Sequence, residues 1–324
     1  GRNILISGCM VDCDDDAICL KSENRNFLVE NVVISNCVIA SNCNAIKFGT
    51  ASDGGFRNIS ISNCAIRRPS EAANRIWSQI IEGVTSDTTV LAGIALEVID
   101  GGIMDQVTID NLTMTGVQTP VFIKLGSRKG VGSIKNLIIS NITATDESMI
   151  TSSITGIPGS YVENVILKDF IFNCRGTGTS VEAAAPVPER ANAGPDNRMF
   201  GYSLPAYGLY ARHVKNLVLE NFRFNLLSPD ARPAMLFDDC HQVRISNFSV
   251  SKPSDNQPVL RLIQSRGFLC SGFLCTEYFP LFLRAEGEKT SDIKLTGNNF
   301  SKVGKVAGFG AGCKSGAVKK MNNF

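Results

Sequence analysis

Apolar and polar positions alternate along this chain in short runs that close on the same kind of residue. The first is NILISG, Asn3 to Gly8, a β-branched, period-two stretch between two residues that tolerate a left-handed backbone. It returns as NVVISN from Asn31, NISISN from Asn58, QVTIDN from Gln106 and NLIISN from Asn136. It continues as NVILKD from Asn164, NLVLEN from Asn216 and QVRISN from Gln242, with weaker copies GFLCSG from Gly267 and DIKLTG from Asp292. Each copy reads as a half-buried strand followed by a sharp corner. No amphipathic helical period fills the intervals, so crossover helices of a doubly wound sheet are not expected.

Successive anchors lie 28, 27, 48, 30, 28, 52, 26, 25 and 25 residues apart. That near-constant step is the signature of a solenoid, and the two long steps mark insertions near residues 67–92 and 175–210. The expectation is an all-β chain folded as a right-handed parallel β-helix of about ten or more coils, a single domain over residues 1–324. Its coils should stack at roughly 4.7–4.9 Å with like residues above like.

Composition narrows the function classes. The 324 residues carry 32 Lys plus Arg against 30 Asp plus Glu, and a net charge of +2 gives no electrostatic reason to expect nucleic acid as a partner. No run of 18 apolar residues and no leader-like segment is visible, so neither a membrane span nor a signal peptide is expected from the chain as given. Cys9, Cys37 and Cys64 each fall six residues after an anchor and should form an interior ladder of small apolar side chains. With two His, no Cys-x-x-Cys pair and no His cluster, no metal site is assigned.

The stretch VDCDDDAICLKS, Val11 to Ser22, sets Asp14, Asp15 and Asp16 against an apolar strand. Three readings stand: a solvated turn, a calcium site built from clustered carboxylates, or acid–base chemistry in which neighbours hold two carboxyls in different protonation states. Alternation puts adjacent strand residues on opposite faces, so Asp15 and Asp16 can share a groove only at a corner or bulge.

On this Asn-rich repeat, the phrase from Asp15 to Ser22 resembles the Asp-Asp-Cys-x-Ala-Ile-Lys-Ser element of glycoside hydrolase family 28, the polygalacturonase-like pectin hydrolases. The resemblance implies a pectin-lyase-like β-helix and an inverting hydrolase that needs no cofactor. It also implies that Asp15 is the general acid and that Asp16 is half of the water-activating pair. In that family the other half comes from an Asn-Thr-Asp motif about one coil upstream, which would fall before Gly1, as expected if an N-terminal part is missing. Residues 43–50 stand where the family has its Gly-His-Gly element, with Asn44 in the His place, and residues 93–97 stand where it has Gly-x-Arg-Ile-Lys, ending in Glu97.

Lys47, Lys124 and Arg128 are candidate replacement cations for an acidic sugar, with Glu97 and Asp100 as further acids. In the insertions, Trp77, Tyr202, Tyr207 and Tyr210 are candidate platforms for sugar rings. The expected partner is a pectic or related plant polysaccharide or oligosaccharide, branched, rhamnose-containing or met at a chain end. Two other readings stay open: a calcium-dependent polysaccharide lyase with Lys47 or Arg128 as base, and a non-catalytic carbohydrate-binding shaft. The resemblance implies a secreted or periplasmic protein, and the sequence leaves its oligomeric state open.

Overall fold

The structure is a computed structural model, described over residues 1–81 and 84–324. Both ends of the repeated phrase are corners. All ten anchors have left-handed backbones, with φ from 51° at Asp292 to 71° at Gly267. The ten closing residues do too, from 49° at Asn221 to 66° at Gly8 and Gly272. Such a conformation costs most side chains about 1–2 kcal/mol and costs Gly, Asn and Asp least, which is why those residues recur there.

The corner amides also bond along the stack. Asn31 Nδ2 donates to Asn3 Oδ1 at 3.0 Å, Asn58 to Asn31 at 2.8 Å, Asn164 to Asn136 at 2.9 Å and Asn216 to Asn164 at 3.0 Å. At the second corner Asn111 donates to Asn63 at 2.8 Å and Asn221 to Asp169 at 2.6 Å.

The chain is a parallel β-solenoid of about 11 coils, with almost no helix. Each coil feeds three stacks of strands. The first opens with Arg2–Ser7 and Val29–Ser35, the second with Met10–Cys13 and Val38–Ser41, and the third with Ile18–Ser22, Asn44–Ser52 and Val90–Val98. Long strands such as Ile103–Leu125 run through the corners and contribute to more than one stack. The third stack goes on through Ser152–Thr155, residues 209–212 and 235–238, and Leu260–Ile263.

Inside, like residues stack on like. Phe170, Phe222 and Phe248 lie nearly parallel at centroid separations of 4.8 and 5.1 Å, pairs worth about 0.5–1.5 kcal/mol each beyond the area they bury. Cys37 and Cys64 are buried in the same core and Cys9 packs against it half-buried; all eleven cysteines are free thiols.

The third stack is covered on its outer side. Its outward register runs Cys19, Lys47, Ala95, Phe122, Ser153, Tyr210, Leu236, Arg261. Ala95, Phe122, Tyr210 and Leu236 pack against Phe200, Leu204 and Ala206 of the second insertion. The first insertion lays Trp77 over Cys43 and Leu91. Together the insertions form a cap over this face. Only short helical turns occur in them among the described residues, such as Ser180–Ala184, whose Thr179 and Glu182 form a capping box.

Candidate functional site

The three aspartates sit at the corner where Met10–Cys13 ends and Ile18–Ser22 begins, and each is given a separate task. Asp14 Oδ1 accepts from Asn42 Nδ2 at 2.8 Å and from Ala73 N at 3.1 Å, while its Oδ2 accepts from Asn74 N at 2.8 Å, so this carboxylate anchors the first insertion. Asp15 is 71% exposed and accepts from Arg75 Nη1 at 3.0 Å. That hydrogen bond holds its carboxyl below the usual range. Asp16 Oδ1 accepts from both the backbone N (3.1 Å) and the Nδ2 (2.8 Å) of Asn44, which lies buried on the next coil. Dividing the carboxylates among different partners is what makes the run tolerable.

A second cluster lies along the same outward face. Lys47 and Glu97, both fully buried, form an ion pair, and Lys47 also donates to the carbonyl of Pro195 in the cap. Gly194 lets the cap come this close, because a Cβ there would stand 2.8 Å from Thr50 Cγ2 and 3.3 Å from Glu97 Oε2. Lys124 is the register neighbour of Glu97 on the following coil, also fully buried, with its Nζ 5.7 Å from the centroid of the Phe200 ring and without a hydrogen-bond partner. Burial raises Glu97 to about 7 against the pull of Lys47, and it lowers Lys124 to about 8 against the pull of Glu97. Two groups titrating near neutrality in one enclosed place can take up and release a proton.

The structure therefore brings Asp16 to Asn44, and Lys47 to Glu97 beside Lys124. It buries Trp77 and Tyr207, and equally Lys47, Lys124 and Glu97, away from any surface that a sugar could reach, while Arg128 stays partly exposed. Arg128 is engaged in a bidentate pair with Asp100, Nε to Oδ1 at 2.8 Å and Nη2 to Oδ2 at 2.7 Å. Trp77, expected as a stacking platform, is buried, with Nε1 donating to Asn42 O at 2.7 Å and Arg198 over its ring. Tyr207 is likewise buried, its hydroxyl donating to Ser251 O at 2.5 Å. Both aromatics are spent on fixing the insertions to the wall.

Sequence reasoning passed over Arg75 as a partner of Asp15 and the cap as a whole. A signal was present in VLAGIALEV, Val90 to Val98, and in VFIKL, residues 121–125. Near-continuous apolar runs mark strands covered on both faces.

A carboxylate oxygen of Asp15, one of Asp16 and the Cys43 sulfur lie within 4.8 Å of one another. This donor set does not suit calcium, which takes six to eight oxygens. Asp14 is already engaged by the insertion, and a cysteine sulfur is not an oxygen donor for a hard cation.

No family model matches the sequence, and no curated protein matches it. Among solved structures, the crystal structure of "a putative glycosyl hydrolase" from Parabacteroides merdae ATCC 43184 is similar at 11% identity over 69% of this chain and 81% of that one, with a TM-score of 0.22. A likeness that slight adds nothing to the strand register described above.

Proposed function

We propose that the chain is a glycoside hydrolase that cleaves an α-glycosidic bond in a pectic or related acidic polysaccharide, with Asp15 and Asp16 as its reacting carboxylates. The observation that carries this reading is the corner itself. An exposed Asp15 stands beside an Asp16 that is oriented by Asn44, on the stretch whose sequence resembles the acid-pair element of the family named above. The oxygens of the two lie within 4.8 Å, closer than the roughly 6.5–9.5 Å that separates the two carboxyls of an inverting enzyme. They would thus act from one side of the sugar, with a further carboxylate opposite. Arg75 favours the ionised form of Asp15, so proton donation by Asp15 as general acid would be easier once that contact is given up.

The test is hydrolysis of a panel of pectic oligosaccharides by the parent, Asp15→Asn and Asp16→Asn, with product anomers followed by NMR. Inverted product from the parent, with a loss of at least about 10³-fold in both variants, is the expected result. One observation favours the non-catalytic alternative: the cap buries the outer face from Ala95 to Leu236. Oligosaccharide binding without any turnover would establish that reading and end the enzymatic one.

A further inference from the structure

The amide ladder of the first corner, interrupted at Gln106, resumes from Asn136 through Asn164 to Asn216 and goes no further. The next three corner positions are Gln242, Gly267 and Asp292, and no side-chain bond joins them among the described residues. Gly267 contributes no side chain, so the corner opens there into two adjoining hollows of about 440 and 460 Å³ that share these three residues.

Their walls are positively charged. Lys215, His241 and Arg266 are register neighbours on three successive coils and line the first hollow. Arg244 and Lys294 line the second. The single carboxylate in the lining, Asp292, is already paired with Lys294 at 3.3 Å. Lys215, Arg244 and Arg266 have no carboxylate within ion-pair distance among the described residues.

The site is braced from behind. His241 Nε2 lies 3.1 Å from Asp239 Oδ1, whose other oxygen accepts from Tyr161 at 3.0 Å, and Lys215 Nζ sits 3.7 Å from the centroid of the Tyr161 ring. His241 Nδ1 has no partner.

We propose that this corner binds an acidic polysaccharide, through carboxylate or sulfate groups held by Lys215, Arg244 and Arg266. An open hollow across consecutive coils fits a chain, and Lys215 and Arg266, two coils apart on one register line at roughly twice the 4.8 Å strand spacing, with Arg244 on the coil between them, can meet successive charges along it. The site lies outside the capped face and stands whether or not Asp15 and Asp16 are catalytic.

Isothermal titration with polygalacturonate, dextran sulfate and neutral dextran tests it on the full chain. The variant is Arg244→Ser/Arg266→Ser and the control is Lys135→Ser, on the same stack but away from the hollow. Expected are binding of one or both polyanions, none of dextran, and at least about tenfold weaker binding in the double variant, or about 1.4 kcal/mol, with the control unchanged. Preference between the two polymers identifies the anionic group. The proposal is overturned if neither polyanion binds, if the control weakens as much as the double variant, or if duplex DNA binds as tightly as the polysaccharide.

Discussion

Arg198 lies over the indole of Trp77 with its guanidinium carbon 4.6 Å from the ring centroid, joining two insertions more than a hundred residues apart in sequence. Arg198 is held in that pose by Asp196, Nε to Oδ1 at 2.8 Å and Nη2 to Oδ2 at 2.7 Å. A partly desolvated cation–π contact is worth roughly 0.5–2 kcal/mol, enough to couple the halves of the cap without fixing them permanently.

Trp77 is the only tryptophan, so it reports on this joint directly. Arg198→Ala is expected to shift its fluorescence to the red and to increase acrylamide quenching, while the circular dichroism of the solenoid is unchanged. An unaltered spectrum would show that the indole is held by the wall alone.

Lys124 gives a pH-dependent prediction. Its folded-state value of about 8 lies below the ordinary 10.5, so between those two pH values the unfolded chain binds the extra proton and stability rises with pH. Below about pH 8 the full cost of burying the charge is present, on the order of 3 kcal/mol. Lys124→Met should therefore raise Tm at pH 7, and the advantage should vanish above about pH 10.5. Glu97 acts in the lower window: raised to about 7 from 4.5, it makes stability fall as pH rises between those values. Thermal melts from about pH 4 to about pH 11.5 check both; a Lys124→Met variant less stable than the parent at pH 7 would mean that the amine has a buried partner.

Removing Arg75 isolates its effect on Asp15. Without the guanidinium at 3.0 Å, the Asp15 carboxyl should titrate higher, toward the ordinary Asp range. Carboxyl ¹³C NMR titration of Arg75→Ala measures this, and in an enzyme that uses Asp15 as its general acid the alkaline limb of the pH–rate profile should move upward with it. No movement would assign the depression to the backbone of Asp16 instead.

The cap is also clipped at its other end. Arg212 Nη1 donates to Val187 O at 2.7 Å and its Nη2 pairs with Glu189 at 2.6 Å, while His213 Nε2 lies 3.2 Å from the same carboxylate. Glu189→Ala should raise amide hydrogen exchange in residues 187–201 at least about tenfold and leave the core strands protected. Equal protection in both proteins would place the closing force in the apolar contacts of Phe200 and Leu204.

Much of this was legible in the sequence, for a physical reason. A corner that needs left-handed backbone admits few residue types, so NILISG and its copies advertise both ends of every strand, and the solenoid follows from their spacing. Asp16 beside Asn44 follows from the register that the spacing sets, whereas Lys47 is in register with Ala95 and reaches Glu97 only by leaning two residues along the neighbouring strand. The fates of Trp77 and Tyr207 do not, because an insertion contains no repeat to fix where it folds back. An aromatic ring suits a buried wall as well as a sugar. The apolar run from Val90 to Val98 did announce a covered face, though not what covers it.

The corner rule can itself be tested at Asn164, which has φ 56°, donates to Asn136 Oδ1 at 2.9 Å and accepts from Asn216 Nδ2 at 3.0 Å. Asn164→Ala loses both amide bonds, which are exposed and individually worth little, and adds the left-handed penalty of about 1–2 kcal/mol. Asn164→Gly loses the same bonds and escapes that penalty. Alanine should therefore lower the denaturation midpoint more than glycine, by a difference of about 1 kcal/mol in urea titrations. If the two variants are equally destabilised, the ladder amides and not the backbone conformation hold the corners, and Asn recurs there for its hydrogen bonds alone.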